Sequence, residues 1–169
     1  MSKRQHNEEL VKQITEHKAI LFKICNAYCK NESDREDLGQ EIVYQLLRSY
    51  QNFTPHYKFS TWMYRVALNV AISFYRKART SSSVIRLMET TTEVEDKNDN
   101  AIELEKNINQ LQQFISELKE LDKALMILYL EEKNYREISE ILGITETNVA
   151  TKLSRIKDKL KQRFLTINN

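Results

Sequence analysis

The sequence contains few of the residues that tight turns need and no segment suited to crossing a membrane. Its 169 residues include only two glycines and one proline, which favours long helices and disfavours sheets rich in hairpins. No apolar run approaches the roughly 18 residues that a membrane-spanning helix needs. The first six residues are not followed by the apolar segment of a signal peptide. We therefore expect a cytoplasmic protein without membrane insertion.

Cysteine is also scarce, because Cys25 and Cys29 are the only two. Four residues apart on a predicted helix, they are compatible with a metal or redox pair that His17 could join. A closed structural metal site normally takes four ligands, so this spacing favours two small apolar residues that line a helix. The chain shows no phosphate-binding glycine loop, nucleophile elbow or metal-ligand cluster. We therefore expect no cofactor and no metal.

Charge is unevenly distributed along the chain, although the formal net charge is only +2. Residues 1–86 carry 14 basic and eight acidic side chains, whereas residues 87–105 carry one lysine and seven acidic residues. Residues 106–150 are mildly acidic, and residues 151–169 carry six basic side chains and one aspartate. Two basic blocks separated by acidic chain indicate two surfaces that face polyanions.

Apolar residues recur at helical spacing through most of the chain. The first such series comprises Leu10, Ile14, Leu21, Ile24, Cys25 and Tyr28, which share one helical face. A second predicted helix, capped by Ser33 or Asp34, precedes a loop with the only proline. A third runs from about Ser60 to Arg79. From Thr80 the pattern stops, and it returns at Ile102.

The sequence therefore predicts an all-α fold of two small helical domains joined by a flexible linker. The first domain is expected over residues 1–79, the acidic linker over 80–104 and the second domain over 105–169. Few apolar residues occur in the linker, so it is not expected to bury a core of its own.

The stretch from Tyr135 to Phe164 fits a helix-turn-helix. Two short helices that cross steeply need a small residue, a turn glycine and an aliphatic anchor, and Ser139, Gly143 and Val149 occur at matching offsets. The buried stripe of the second helix is predicted to contain Val149, Leu153, Ile156, Leu160 and Phe164. Its N-terminal residues would reach base edges and its basic remainder would meet phosphates. An ordinary helical hairpin with a solvated basic face is the alternative.

Three motifs in order resemble bacterial RNA polymerase sigma factors, in particular the small extracytoplasmic-function (ECF) group that keeps only sigma domains two and four. They are Asp34-Arg-Glu-Asp-Leu-Gly-Gln-Glu41, Phe59-Ser-Thr-Trp-Met-Tyr-Arg-Val-Ala-Leu-Asn69, and Leu121-Asp-Lys followed by Tyr135-Arg-Glu-Ile. The resemblance covers about residues 10–79 and 105–165.

The resemblance implies a non-enzymatic subunit that binds core RNA polymerase and directs promoter-specific initiation. Such a subunit reads the −10 and −35 promoter elements and helps to open the duplex. Members of the group are often held inactive by an anti-sigma factor, which we expect as a further partner. The alternatives are a self-sufficient repressor or activator that binds dimer-spaced half-sites, and a hydrolase or transferase built on a helical bundle.

The resemblance also assigns two sites in the first domain. The surface for the clamp helices of the largest polymerase subunit falls on Asp37, Leu38, Gln40 and Glu41. There an acidic patch around an exposed leucine would dock a coiled coil. The resemblance also implies that the −10 element is recognised and melted by a second group of residues. In such a site bases stack on aromatic rings and cations bind the backbone of the separated strand. The residues concerned are Arg65, Asn69, Ser73, Arg76, Lys77 and Trp62. Trp62 is equally compatible with a place in the core.

Two further sites follow from the same resemblance. The loop that captures a flipped-out base corresponds to Asn52, Phe53, Thr54, His56, Tyr57 and Lys58. Reading of the −35 element falls on Arg136, Thr145, Glu146, Asn148, Thr151, Lys152 and Arg155. The chain departs from the family at Ala150 and Lys152, where a basic residue and an arginine are common. Lysine cannot make arginine's two-pronged contact with guanine, so a different promoter preference is expected.

Overall fold

The computed structural model describes residues 3–81 and 99–167. Across these two ranges every regular element is a helix, which confirms the all-α prediction. No helix within them is both long and apolar enough to cross a membrane.

The first half contains α1 (Lys3–Glu16), α2 (Lys18–Tyr28), α3 (Glu32–Ser49) and α4 (Phe59–Ser81), with a 3₁₀ turn at Tyr50–Asn52. Helices α2, α3 and α4 pack against one another. The prediction of one continuous first helix was wrong, because His17 leaves helical geometry (φ −106°, ψ 19°) and separates α1 from α2. The His17 Nδ1 lies 2.9 Å from the Gln13 carbonyl oxygen. This carbonyl at the end of α1 therefore keeps a polar partner where the helix is interrupted.

Helix α3 begins differently from the prediction. Asn31, rather than Ser33 or Asp34, is its N-cap, and the Asn31 side chain accepts a hydrogen bond from the Asp34 backbone N–H at 2.7 Å. Asn31 has extended backbone geometry just before the helix, which is the geometry a cap requires. Ser33 and Asp34 already lie inside the first turn.

The second half contains α5 (Asp99–Glu117), α6 (Glu120–Leu130), α7 (Tyr135–Leu142) and α8 (Glu146–Ile167). Helix α7 opens with a capping box between Asn134 and Glu137, which satisfies two backbone donors at once. It ends at Gly143, which adopts the left-handed conformation (φ +67°) that the helix-turn-helix prediction required.

Helical structure extends from both sides into the segment predicted as a linker. Helix α4 continues to Ser81 and α5 already begins at Asp99, so both ends of the predicted 80–104 linker are helical. The remainder, residues 82–98, lies outside the described residues, and so does the prediction that it is flexible.

The buried cores of the two halves form one continuous cluster. Helix α4 packs on α6 and α7, and α2 packs on α5 and α6. Residues from both sides are fully buried, among them Leu38, Leu68, Leu125 and Ile138. The sequence predicted two domains, and the structure shows that these domains share an interface.

Candidate functional site

Three polar residues predicted to bind the polymerase lie together on α3. Asp37, Gln40 and Glu41 are all exposed, and their spacing of three and four residues places them on one helical face. We call them the acidic patch. The Glu41 carboxylate accepts a hydrogen bond from the Gln45 side chain at 2.9 Å, which leaves most of its surface open to a partner.

Leu38 is not part of that exposed surface. The expectation of an exposed leucine was wrong, because Leu38 is fully buried in the core on the same stripe as Ile42 and Leu46. These residues are four apart and therefore face inward together. Leu38 therefore anchors α3 in the core.

An apolar groove lies next to the acidic patch, between α2 and α3. This α2–α3 groove measures about 1300 Å³, and Gln40 belongs to both the groove and the patch. Phe22 and Tyr44 line it with 64% and 56% of their surface exposed. These rings place exposed apolar surface beside the acidic patch, where the sequence had predicted an exposed Leu38. Large exposed aromatic side chains often mark interaction surfaces, so their exposure is the feature that identifies these two residues as candidates.

The polar residues predicted for the −10 element form one exposed strip along α4. Its members, which we call the −10 strip, are Arg65, Asn69, Ser73, Arg76 and Lys77, and all are exposed. Arg76 also makes a contact that the sequence did not indicate: its Nε donates to the Glu120 carboxylate at 2.9 Å. That hydrogen bond lowers the pKa of Glu120.

The base of the predicted flipped-base loop is built from aromatic rings. Tyr50 and Phe53 stack with their centroids 5.8 Å apart, and Trp62 lies 5.2 Å from Phe53 and 5.5 Å from Phe59. These four rings form what we call the aromatic cluster. Trp62 is half-buried within it, so its packing role is evident in the structure.

The loop leaves and re-enters this cluster through Phe53 and Phe59. Phe53 is half-buried, whereas the other predicted loop residues are exposed: Asn52, Thr54, His56, Tyr57 and Lys58. Tyr57 is 52% exposed. An aromatic face, an imidazole and a lysine are therefore presented together on a loop whose two ends are fixed.

The predicted −35 surface lies at the start of α8. Glu146, Asn148, Thr151 and Arg155 are exposed there, while Val149 and Leu153 are buried. Thr145 caps the helix, because its Oγ1 accepts a hydrogen bond from the Asn148 backbone N–H at 3.1 Å. The structure thus brings together the N-terminal residues that the motif would direct toward base edges.

Two other predicted −35 residues have partners inside the protein. Lys152 is half-buried, and its Nζ lies 3.9 Å from the Asp122 carboxylate on α6. Arg136, on α7, is exposed and pairs with Glu140 one turn later at 3.3 Å. A ligand that binds either cation would therefore compete with a carboxylate of the protein itself, Asp122 for Lys152 and Glu140 for Arg136.

The basic face of α8 is likewise partly used within the protein. Lys157 lies over the Tyr129 ring at 4.2 Å from its centroid, and Arg163 pairs with Glu117 on α5. The Arg163 hydrogen bond lowers the pKa of Glu117. The expectation that the whole basic remainder faces phosphates therefore needs correction, since these two side chains hold α8 against α5 and α6.

Polar contacts join the two halves of the molecule at two carboxylates. Glu131 follows α6, accepts a hydrogen bond from the Tyr64 hydroxyl at 3.2 Å and pairs with Lys23. Glu120, at the start of α6, holds Arg76 through its side chain, and its backbone carbonyl accepts from the Tyr28 hydroxyl at 2.7 Å. Each of these two residues therefore contacts two side chains of the first half, Glu131 through its carboxylate alone and Glu120 through its carboxylate and its backbone carbonyl.

Lys123 lies on α6 and is almost completely buried, with 2% of its surface exposed. Its Nζ sits 4.8 Å from the Tyr75 ring centroid and 5.2 Å from that of Tyr28, and it donates to the Ser116 carbonyl at 3.2 Å. A buried ammonium held by two ring faces is a cation–π arrangement. In the sequence, the only indication of this site is a single lysine within the apolar run of α6. The site could not be predicted from it, because the two tyrosines are distant in sequence.

Cys25 and Cys29 are buried in the first half, in agreement with two small residues that line a helix. Burial raises the pKa of both thiols, that of Cys29 to about 12. Among the described residues, no group of three or more His, Cys, Asp or Glu side chains is placed to hold a metal ion.

Two family models match the chain in the order of the two halves. Residues 13–81 match Sigma-70 region 2, and residues 108–160 match Sigma-70, region 4. The chain is similar to the RNA polymerase sigma factor SigV of Bacillus subtilis (strain 168), with 30% identity over 157 residues, 92% of this chain and 91% of that protein. It is 26% identical over 159 residues to the ECF RNA polymerase sigma factor SigW of the same bacterium, 88% of this chain and 84% of that protein.

The fold also resembles two solved structures. The sigma factor RpoE, solved with the anti-sigma factor NepR from Bartonella quintana, superposes with a TM-score of 0.71 at 15% identity, over 96% of this chain and 99% of that one. CnrH, solved with the cytosolic domain of CnrY, superposes with a TM-score of 0.66 at 15% identity, over 97% and 95%. The matches to both regions in order, together with a relative that is 30% identical over 92% of this chain, show that the chain belongs to the ECF group of RNA polymerase sigma factors.

Proposed function

We propose that this sigma factor binds core RNA polymerase through α3, reads and melts the −10 element with α4 and its preceding loop, and reads the −35 element with α8. The observation that carries the proposal is the −10 strip: five polar residues exposed along one face of α4, beside a loop anchored by aromatic rings. Cations along a strip can hold a separated strand while exposed rings offer faces to unstacked bases.

For the polymerase, we propose a surface that combines the acidic patch with the α2–α3 groove. The patch supplies negative charge and the groove supplies exposed rings, of which Phe22 and Tyr44 are the largest. A coiled coil with basic and apolar residues would be bound by charge pairing around an apolar centre. This arrangement assigns a role to exposed apolar surface that a free protein would otherwise leave unfavourably hydrated.

Run-off transcription tests the proposal as a whole. Core RNA polymerase with the added protein is expected to initiate at one position on a cognate promoter, and core enzyme alone is not. Specific binding of the free protein to duplex half-sites, without any effect on initiation by core enzyme, would contradict it and favour a self-sufficient regulator.

Charge reversal tests the polymerase surface. The double variant Asp37→Lys, Glu41→Lys is expected to lose core binding by tenfold or more, on the order of 1.4 kcal/mol or more, with an unchanged helical spectrum. The matched control is Glu16→Lys, Glu103→Lys, which makes the same charge change at two exposed sites elsewhere. Equal affinity of the two double variants for core enzyme would show that the acidic patch is not the contact surface.

We also propose an anti-sigma factor as a regulatory partner. Two structural neighbours were solved in complex with a second protein, which in one case is named an anti-sigma factor. In this chain the α2–α3 groove offers such a partner an apolar binding surface. Co-purification from the native host should yield a complex that substitution of Tyr44 by Lys disrupts. Recovery of the sigma factor only with polymerase would instead indicate control by abundance.

A further inference from the structure

A histidine from the first helix extends the aromatic cluster beneath the loop. The His6 ring, on α1, lies 4.5 Å from the Tyr50 ring between centroids, with an interplanar angle of 43°. Tyr50 in turn stacks on Phe53, where the loop begins. The residues matched by the region 2 model start at 13, so His6 precedes that match while contacting the base of a site within it.

The loop depends on its two ends for its position. Thr54 to Lys58 are all exposed, so these residues bury little surface of their own. The first anchor, Phe53, contacts Tyr50 at 5.8 Å and Trp62 at 5.2 Å. The second anchor, Phe59, lies 5.5 Å from Trp62. A shift of Tyr50 or Trp62 would therefore be transmitted directly to the loop.

His6 is held in place independently of the cluster. Leu10 lies one turn later on the same face of α1 and is completely buried, which fixes that helix against the domain. His6 itself is only half-buried. Because the burial of Leu10 holds α1 in place, the contact between His6 and Tyr50 is not needed to keep α1 packed on the domain.

We propose that His6 is a positioning residue, which holds the Tyr50–Phe53 stack and thereby sets the orientation of the loop at Thr54–Lys58 that selects the flipped-out base. This inference rests on the role of the loop given under the proposed function. Tilted ring pairs of this kind are favourable because the edge of one ring meets the electron-rich face of the other. Loss of the pair lets Tyr50 and the loop adopt more than one orientation, so the wrong base is rejected less well.

The test uses holoenzyme assembled from core RNA polymerase and each variant, on promoters that carry all four bases at every position of the −10 element. His6→Ala is expected to reduce the ratio of initiation on the preferred base to that on the poorest base by about three- to tenfold. Core affinity and −35 dependence should stay unchanged. Alanine is also the better helix former, so weakening of α1 cannot account for the loss.

Two matched variants and one internal probe separate positioning from general damage. His6→Phe keeps a ring against Tyr50 and is expected to keep the selectivity of the unmodified protein. Asn7→Ala, at the exposed neighbouring position on α1, is expected to change nothing. Trp62 is the only tryptophan and lies 5.9 Å from Tyr50, so its emission should shift in His6→Ala alone. If His6→Ala loses helical content, His6→Gln takes its place under the same expectations.

Unchanged base selectivity in His6→Ala overturns the inference, whether or not Trp62 emission shifts. Equal loss of selectivity in Asn7→Ala also overturns it, since that result would indicate a general effect of α1. If the unmodified holoenzyme shows no base preference at any −10 position, the proposed role of the loop fails and the inference fails with it. If the unmodified holoenzyme is selective and His6→Ala is equally selective, only the inference fails.

Discussion

At the scale of single residues, the buried ammonium of Lys123 has the most unusual environment in the part of the chain described. Its pKa is lowered from an ordinary 10.5 to about 8, mainly by burial and also by nearby Lys30, while Cys29 and Glu120 act in the opposite direction. Two tyrosine faces and one carbonyl compensate the ammonium only in part. The charged form is therefore better solvated in the unfolded chain than in the folded protein.

This shift predicts a pH dependence of stability with a definite sign. Between pH 8 and 10.5 the unfolded chain binds the Lys123 proton more fully than the folded protein does, so this residue's contribution to stability rises with pH. From pH 7 to 9 the free energy of unfolding should gain on the order of 1 kcal/mol relative to Lys123→Met. The buried cysteines, whose raised pKa values act in the opposite direction, are present in both proteins, so only the part of the Cys29 shift that Lys123 itself causes does not cancel in the difference.

Urea unfolding of both proteins at pH 7, 8 and 9 measures that difference. At pH 7 the methionine variant is expected to be the more stable of the two, because it removes a buried charge while it fills the same space. Its advantage should shrink as Lys123 loses its proton. Parallel stability curves across this pH range would show that Lys123 has an ordinary pKa.

At the scale of helices and turns, the two glycines of the chain predict opposite responses to the same substitution. Gly39 lies inside α3, and a Cβ there would meet only the Cys25 Sγ at an ordinary 3.8 Å. Gly39→Ala should therefore stabilise the protein by about 0.5–1 kcal/mol. At Gly143 nothing lies within 4 Å, but φ is +67°, so Gly143→Ala should destabilise the protein by about 1 kcal/mol. Urea midpoints of both variants measure this, and shifts in the same direction would contradict the argument.

Helix-level features were predicted well where the signal is local. The start of α7, the left-handed turn at Gly143 and the buried stripe from Val149 to Ile156 all follow from residues a few positions apart. The break at His17 was missed because apolar spacing continues across it, and Ile14 and Leu21 share a face with or without one irregular residue. The spacing of apolar residues therefore does not reveal a change of backbone geometry at a single position.

The site was predicted less evenly, for a related physical reason. Exposure of the −10 strip follows from helical spacing on α4 alone. Burial of Leu38 follows equally from its spacing to Ile42 and Leu46, but the family resemblance had suggested exposure. Contacts such as Tyr64 to Glu131, 67 residues apart in sequence, depend on how the two domains pack, and no local pattern encodes that packing.

At the scale of the whole molecule, the packing of the two domains engages one end of the −10 strip. Arg76 is held by Glu120, whose side chain is only 18% exposed, and Glu131 draws Tyr64 and Lys23 toward the second domain. Separation of the domains would break the contact between Arg76 and Glu120. It would also expose Lys123, whose charge is poorly solvated in the packed state, so opening regains hydration for that ammonium.

The contact between the domains should therefore be adjustable by charge. Replacement of both carboxylates, as Glu120→Gln with Glu131→Gln, removes two partly buried ion pairs, each worth up to about 1 kcal/mol. The equilibrium between the packed and the separated form should then shift toward the separated form by up to about thirtyfold. Glu117→Gln with Glu140→Gln is the matched control, since it removes two ion pairs that lie within the second half. The radius of gyration from small-angle scattering should increase only in the first variant, and raised salt should increase it in the unmodified protein.

The Glu120→Gln, Glu131→Gln variant should also bind a single-stranded −10 oligonucleotide more tightly, because Arg76 no longer has Glu120 as a competing partner. A radius of gyration that responds neither to the substitutions nor to salt would mean that apolar packing of α4 on α6 and α7 holds the domains together, with the carboxylates contributing little.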